Sequence, residues 1–171
     1  PAGPAETGME AGSDQHPTAE QAFERLKNLA GTWNGEAAGE GRAEEEEVDG
    51  FTVSHTFQVS ANDSVVMETM NPGTDHEMIN MYHRDGEDLV LTHYCAGGNQ
   101  PTMKMDRAKS SADDYVFEFT GGTNLDPAVD PHIHAGGLKF VDDDQIESRW
   151  ISHQNGEQAG VMVFHLQRAE G

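Results

Sequence analysis

Apolar and polar residues alternate along most of this chain with a period of two, the spacing of strands half buried against a core. In Phe51-Thr-Val-Ser-His-Thr-Phe-Gln-Val59 the alternate positions are Phe51, Val53, His55, Phe57 and Val59. In Leu89-Val-Leu-Thr-His-Tyr-Cys95 they are Leu89, Leu91, His93 and Cys95. The pattern predicts strands near 32–40, 42–48, 51–60, 64–71, 77–84, 87–95, 100–107, 114–121, 132–141, 145–154 and 158–168. Turn signals separate them, among them Asp49-Gly50, Asn62-Asp63, Asn71-Pro-Gly73, Asp85-Gly86, Gly97-Gly98, Asp142-Asp-Asp144 and Asn155-Gly156.

One segment has a different period. Thr18-Ala-Glu-Gln21 is a capping-box pattern, after which Phe23, Leu26, Leu29 and Ala30 share one helical face and Gly31 supplies a stop. A helix over about 18–30 with a single apolar stripe must lie on something, and the rest of the chain is β-structure. Short strands joined by tight turns predict an all-β, up-and-down antiparallel barrel of about ten strands, with the N-terminal helix closing one end. Closure needs an even number, so one predicted strand is surplus or continuous with its neighbour. Residues 1–17 read as a flexible leader and 18–171 as one barrel domain.

Turn chemistry sets the expected registers. A two-residue turn at Asp85-Gly86 pairs Tyr82 with Leu89, Asn80 with Leu91 and Met78 with His93. One at Asn155-Gly156 pairs Trp150 with Val161 and Ser152 with Ala159. A three-residue turn at Asp142–Asp144 pairs Phe140 with Ile146, Gly136 with Trp150 and His134 with Ser152. Alternating strand direction then brings His93 and Cys95 to the same rim as His132 and His134, with the loops 97–101 and 121–127. Trp33 and Arg168 belong to the opposite end, with the helix.

Charge narrows the partners. Lys and Arg total 10 against 31 Asp and Glu, a formal charge of -21, which repels phosphate backbones and anionic lipid. Nucleic acid is not an expected partner, and no apolar run approaches the ~18 residues that span a bilayer. The expected partner is a small apolar or amphipathic molecule. A single cysteine forms no internal disulfide, and the sequence carries no signature of oligomeric state. The acidic, Gly-rich composition and the Pro1-Ala-Gly-Pro opening suit an exported protein, periplasmic or secreted, with a cytoplasmic one as the alternative.

Gly31-Thr32-Trp33, following a short helix and preceding a barrel that ends in Arg168, resembles the lipocalin or calycin plan. That resemblance implies an arginine from the last strand stacked on the tryptophan of the first. Thr92-His-Tyr-Cys95, Gly98-Asn-Gln-Pro101, Gly121-Gly-Thr-Asn-Leu-Asp126 and His132-Ile-His134 look like a bacterial family of calycin-like domains without a settled activity, over about residues 20–168. Nitrobindin-type haem barrels share Gly31-Thr-Trp-x-Gly35, but their proximal haem histidine matches no single position here, so haem is expected less than a divalent ion.

The candidate chemistry lies at the rim. His132 and His134 project from one strand face, and with His93 and Cys95 they make a set of N and S donors for an ion such as zinc. The preferred account is plainer: the imidazoles hydrogen-bond rim-loop carbonyls and carboxylates, notably Asp126 or Asp130. Cys95 reads as a buried inert thiol, His55 as a satisfied wall residue, and Met78, Met81, Met103 and Met105 as flexible core filler. Glu44–Glu47 reads as a solvated strand end or turn. The expected ligand-binding set is His93, Cys95, Asn99, Gln100, Met103, Asn124, His132, His134 and Trp150. The function expected is non-enzymatic binding of a partly apolar molecule inside the barrel. The alternative is an enzyme using a rim metal or a histidine as general base, with no catalytic residue assigned.

Overall fold

Sequence neighbours pair edge to edge until the last strand meets the first. The computed structural model describes residues 16–40 and 51–171. Helix α1 (Ala19–Lys27) precedes β1 (Gly31–Glu40), β2 (Phe51–Ser60), β3 (Val65–Met70), β4 (Met78–Asp85), β5 (Asp88–Tyr94), β6 (Gln100–Met105), β7 (Asp114–Thr123), β8 (His132–Phe140), β9 (Gln145–Gln154) and β10 (Glu157–Arg168). Every pairing is antiparallel, and β1 closes the barrel between β10 and β2. No described helix is long and apolar enough to cross a membrane. The expected strand at 42–48, the run Glu44–Glu47 and most of the leader lie outside the described residues.

The capping box forms as expected: Gln21 N donates to Thr18 Oγ1 at 3.1 Å and Thr18 N to Gln21 Oε1 at 2.9 Å. The helix stops earlier than predicted, at Asn28, and Gly31 opens β1 instead of ending the helix. At φ +130°, Gly31 takes a backbone conformation that a side chain resists. Ala22, Phe23 and Leu26 are buried, as is Leu29 just beyond the helix. Arg25 reaches over the ring of Phe140 at 4.1 Å, and Arg107 Nε donates to the Pro17 carbonyl. The helix and its lead-in thus cross the end where β4 meets β5 and β8 meets β9. Beneath them Trp33, Tyr82, Leu91, Met103, Tyr115 and Phe117 fill the lumen.

Two expected registers change throughout and a third in part. The β4–β5 turn centres on Gly86-Glu87, so that Asp85 faces Asp88, Tyr82 faces Leu91 and Asn80 faces His93. Gly86, at φ +59°, supplies the positive dihedral wanted at the first central position. The slip of two residues keeps every side chain on its face but changes its partner. At the β9–β10 hairpin the Asn155-Gly156 turn forms, but a bulge between Gln158 and Gly160 sets Trp150 against Met162 and Ser152 against Gly160. Between β8 and β9, Phe140 faces Ile146 and Gly136 faces Trp150 as predicted. An irregularity at His134 then pairs Ile133, not His134, with Ser152.

Candidate functional site

At the end away from the helix the described residues leave the lumen open, with a cavity of about 420 Å³. Met70, Met78, Ile133, Trp150, Met162, Phe164 and Phe51 give it an apolar wall; Thr52, Asn71, Thr74 and His76 also line it, and one further imidazole, His93, enters it. Among the described residues no Asp, Glu, Lys or Arg lines the cavity. Two local devices make room on this wall. A Cβ on Gly136 would lie 3.0 Å from Trp150 Cζ3, so the glycine accepts the indole edge. The bulge between Gln158 and Gly160 and the irregularity beside Ile133 bring Met162 and Ile133 to the chamber.

Behind His93 runs a buried polar chain across four adjacent strands. His55 on β2, Glu68 on β3, Asn80 on β4 and His93 on β5 are each at most 1 % exposed. Glu68 Oε1 meets His55 Nδ1 at 2.8 Å; Glu68 Oε2 accepts from Asn80 Nδ2 at 2.8 Å and from the Tyr82 hydroxyl at 2.9 Å. Asn80 Oδ1 meets His93 Nδ1 at 2.6 Å. The cross-strand row Glu68–Asn80–His93 exists because the β3–β4 and β4–β5 registers place these residues directly opposite one another.

Charge in this chain follows from its partners. Burial pushes the Glu68 carboxyl up, but the hydrogen bond and charge of His55, with donors from Asn80 and Tyr82, outweigh it and hold the group below its ordinary range. Burial and the Glu68 charge raise Tyr82 well above the ordinary phenol range, so it stays a donor. Burial pushes His93 down to about 4, against the pull of Glu68, so its imidazole is neutral near pH 7. His93 Nε2 and His55 Nε2 are buried with no hydrogen-bond partner among the described residues. Only His93 lines the cavity; the His55 ring packs on Phe164, which does.

The other expected site residues fall into three places. Met103 is fully buried in the filled part of the barrel. Cys95, Asn99, Gln100 and Asn124 knit the rim loops together. Cys95 Sγ accepts from Gly97 N at 3.4 Å, Asn99 Nδ2 donates to the Pro131 carbonyl at 2.9 Å, and Asn124 Nδ2 to the Gly98 carbonyl at 2.7 Å. Gln100 Oε1 accepts from Thr123 Oγ1 at 2.8 Å. His132 and His134 join His153 and Phe119 in a cluster of rings: His134 stacks on His153 at 3.8 Å and on Phe119 at 4.6 Å. His132 meets the Asp130 carbonyl through Nδ1 at 2.9 Å and His134 Nδ1 through Nε2 at 2.9 Å. Burial, then the neighbouring imidazoles, lower His134 from its ordinary value, and burial with His132 lowers His153. Among the described residues no three His, Cys, Asp or Glu side chains are arranged to hold a metal ion. The structure therefore brings His93 and Trp150 together at the chamber, with ring centroids 5.4 Å apart.

Glu68, Asn80 and Tyr82 were not among the expected site residues. Their signal was a lone carboxylate at the inward parity of Val66-Met-Glu-Thr-Met70, and an amide at that of Met78-Ile-Asn-Met-Tyr82.

No family model matches the chain, and neither does any curated protein. Among solved structures it is similar to a protein of unknown function of the DUF3598 family from Nostoc punctiforme, with a TM-score of 0.57 and 12% identity. The likeness is one of fold. It covers 84% of this chain and 49% of the Nostoc protein, so the chain spans about half the length of that structure.

Proposed function

We propose that this chain is a small-molecule-binding barrel of the calycin plan, holding one partly apolar ligand in the chamber at the end away from the helix. The observation that carries the reading is His93, which lines a mostly apolar cavity of about 420 Å³ and whose Nε2 is buried without a hydrogen-bond partner among the described residues. A buried polar group left unpaired costs about 1–3 kcal/mol, and a ligand atom opposite it recovers that cost. Small-ligand sites have this composition, mostly apolar with a few placed polar groups. The Arg168 guanidinium over Trp33 supports the calycin plan.

An enzyme using His93 as general base has the lone pair it needs, but the conjugate acid lies at about 4 and Asn80 has no means to accept a proton in turn. Binding is therefore the better reading. Titration with an aminonaphthalene fluorophore tests it: the wild type should enhance its emission saturably, and an Ile133→Trp variant that fills the chamber should not. Equal enhancement by both would place the probe elsewhere and remove the support.

A further inference from the structure

The proton position on His93, the buried polar side chain among the described residues that line the cavity, is fixed by the residues behind it. Asn80 has two possible amide orientations, and the carboxylate decides between them. Its Nδ2 faces Glu68 Oε2 at 2.8 Å and Met70 Sδ at 3.3 Å, contacts that only an NH₂ group makes favourably. Its Oδ1 therefore faces His93 Nδ1, at 2.6 Å, and an oxygen there requires His93 to carry its proton on Nδ1. With Nδ1 protonated and the ring neutral, Nε2 has a lone pair and no hydrogen. The orientation is anchored further back, because His55 and Tyr82 also bind Glu68.

We infer that the molecule taken up is uncharged, with an apolar body and one hydrogen-bond donor such as a phenol, an azole N–H or an alcohol, selected because Glu68 and Asn80 lock His93 as an acceptor. This rests on the binding reading above and names its ligand class. A ligand offering only an acceptor needs a hydrogen on Nε2. Supplying it means turning the Asn80 amide, which removes one of the three donors on a buried carboxylate. A charged ligand finds no carboxylate, ammonium or guanidinium partner, since among the described residues no Asp, Glu, Lys or Arg lines the chamber. The low proton affinity of His93, about 4, keeps it an acceptor throughout the neutral range.

The test uses two isomers of one formula, para-butylphenol and para-propylanisole, titrated calorimetrically into the full chain. The phenol should bind roughly tenfold to a hundredfold tighter, the cost of leaving a buried acceptor unpaired. In His93→Leu the two affinities should converge. In Glu68→Gln, where the amide is free to turn, the gap should shrink although His93 remains. Nitrogen-15 spectra of the wild type supply a check that needs no variant: His93 should show a protonated Nδ1 and a bare Nε2 at neutral pH. Equal affinities, a preference for the ether, or a proton on Nε2 would each overturn the assignment while leaving chamber binding intact. Failure of both isomers and the fluorophore to bind would instead count against the binding reading, and this inference with it.

Discussion

The Arg168 guanidinium sits over the Trp33 indole, 4.4 Å from the ring centre, and its Nη atoms donate to the Ala30 and Asn28 carbonyls just past the helix. One side chain from the last strand thus ties the first strand and the helix end together, satisfying the carbonyl of the helix C-cap and one in the link to β1. Arg168→Ala should lower stability by about 1–3 kcal/mol, and Arg168→Lys should recover only part of it, since a lysine lacks the planar fork. Urea denaturation reads this directly; an unmoved midpoint would show that the closure is held by other contacts.

Leu26 is fully buried at the helical end. Truncating it to Ala should cost about 2–4 kcal/mol if the helix is part of the core. A loss within about 0.5 kcal/mol would mean the helix is an appendage.

Gly136 should not tolerate a methyl. The 3.0 Å approach of a Cβ to Trp150 forces the indole to move, and Gly136→Ala should destabilise the fold by about 1–3 kcal/mol. Because Trp150 lines the chamber, its emission should shift as well. A variant with wild-type stability and spectrum would show that the indole has slack.

The depressed His93 proton affinity has a sign that stability should follow. Its folded value of about 4 lies below the ordinary 6.5, so the unfolded chain binds the extra proton first as pH falls. The stability that neutral His93 contributes is complete above about 6.5 and is lost progressively down to about 4, roughly 3 kcal/mol in all. Glu68, lowered as well, loses its contribution only as pH falls below its ordinary 4.5. Denaturation midpoints across pH 7 to 4 should fall in the wild type and flatten in His93→Leu. Parallel slopes would assign the dependence to other groups.

The strand framework was legible because each strand has one face in water, and period two survives in a closed barrel. Strand direction, which puts His93 and Trp33 at opposite ends, followed from counting turns. The site was less legible. Its defining contact, Asn80 against His93, depends on whether Asp85-Gly86 or Gly86-Glu87 centres a turn, a choice that alternation cannot see because both keep the same faces inward. Likewise the bulge at His134 inverts parity, giving Ile133 the chamber position that alternation from Gly136 assigns to a histidine. Glu68 escaped notice because a lone acid in an apolar strand becomes meaningful only beside His55, Tyr82 and Asn80, which come from other strands.

Packing at one end and space at the other set the kinetics of anything the barrel holds. Among the described residues α1 and the buried aromatic layer seal the base, so a molecule held as proposed would leave, and its replacement enter, by the same doorway. No incoming competitor can push from behind. Exchange of a ligand held as proposed would then be sequential, and a chase experiment should give a release rate independent of competitor concentration, so that occupancy responds to a changing supply only as fast as the chamber empties.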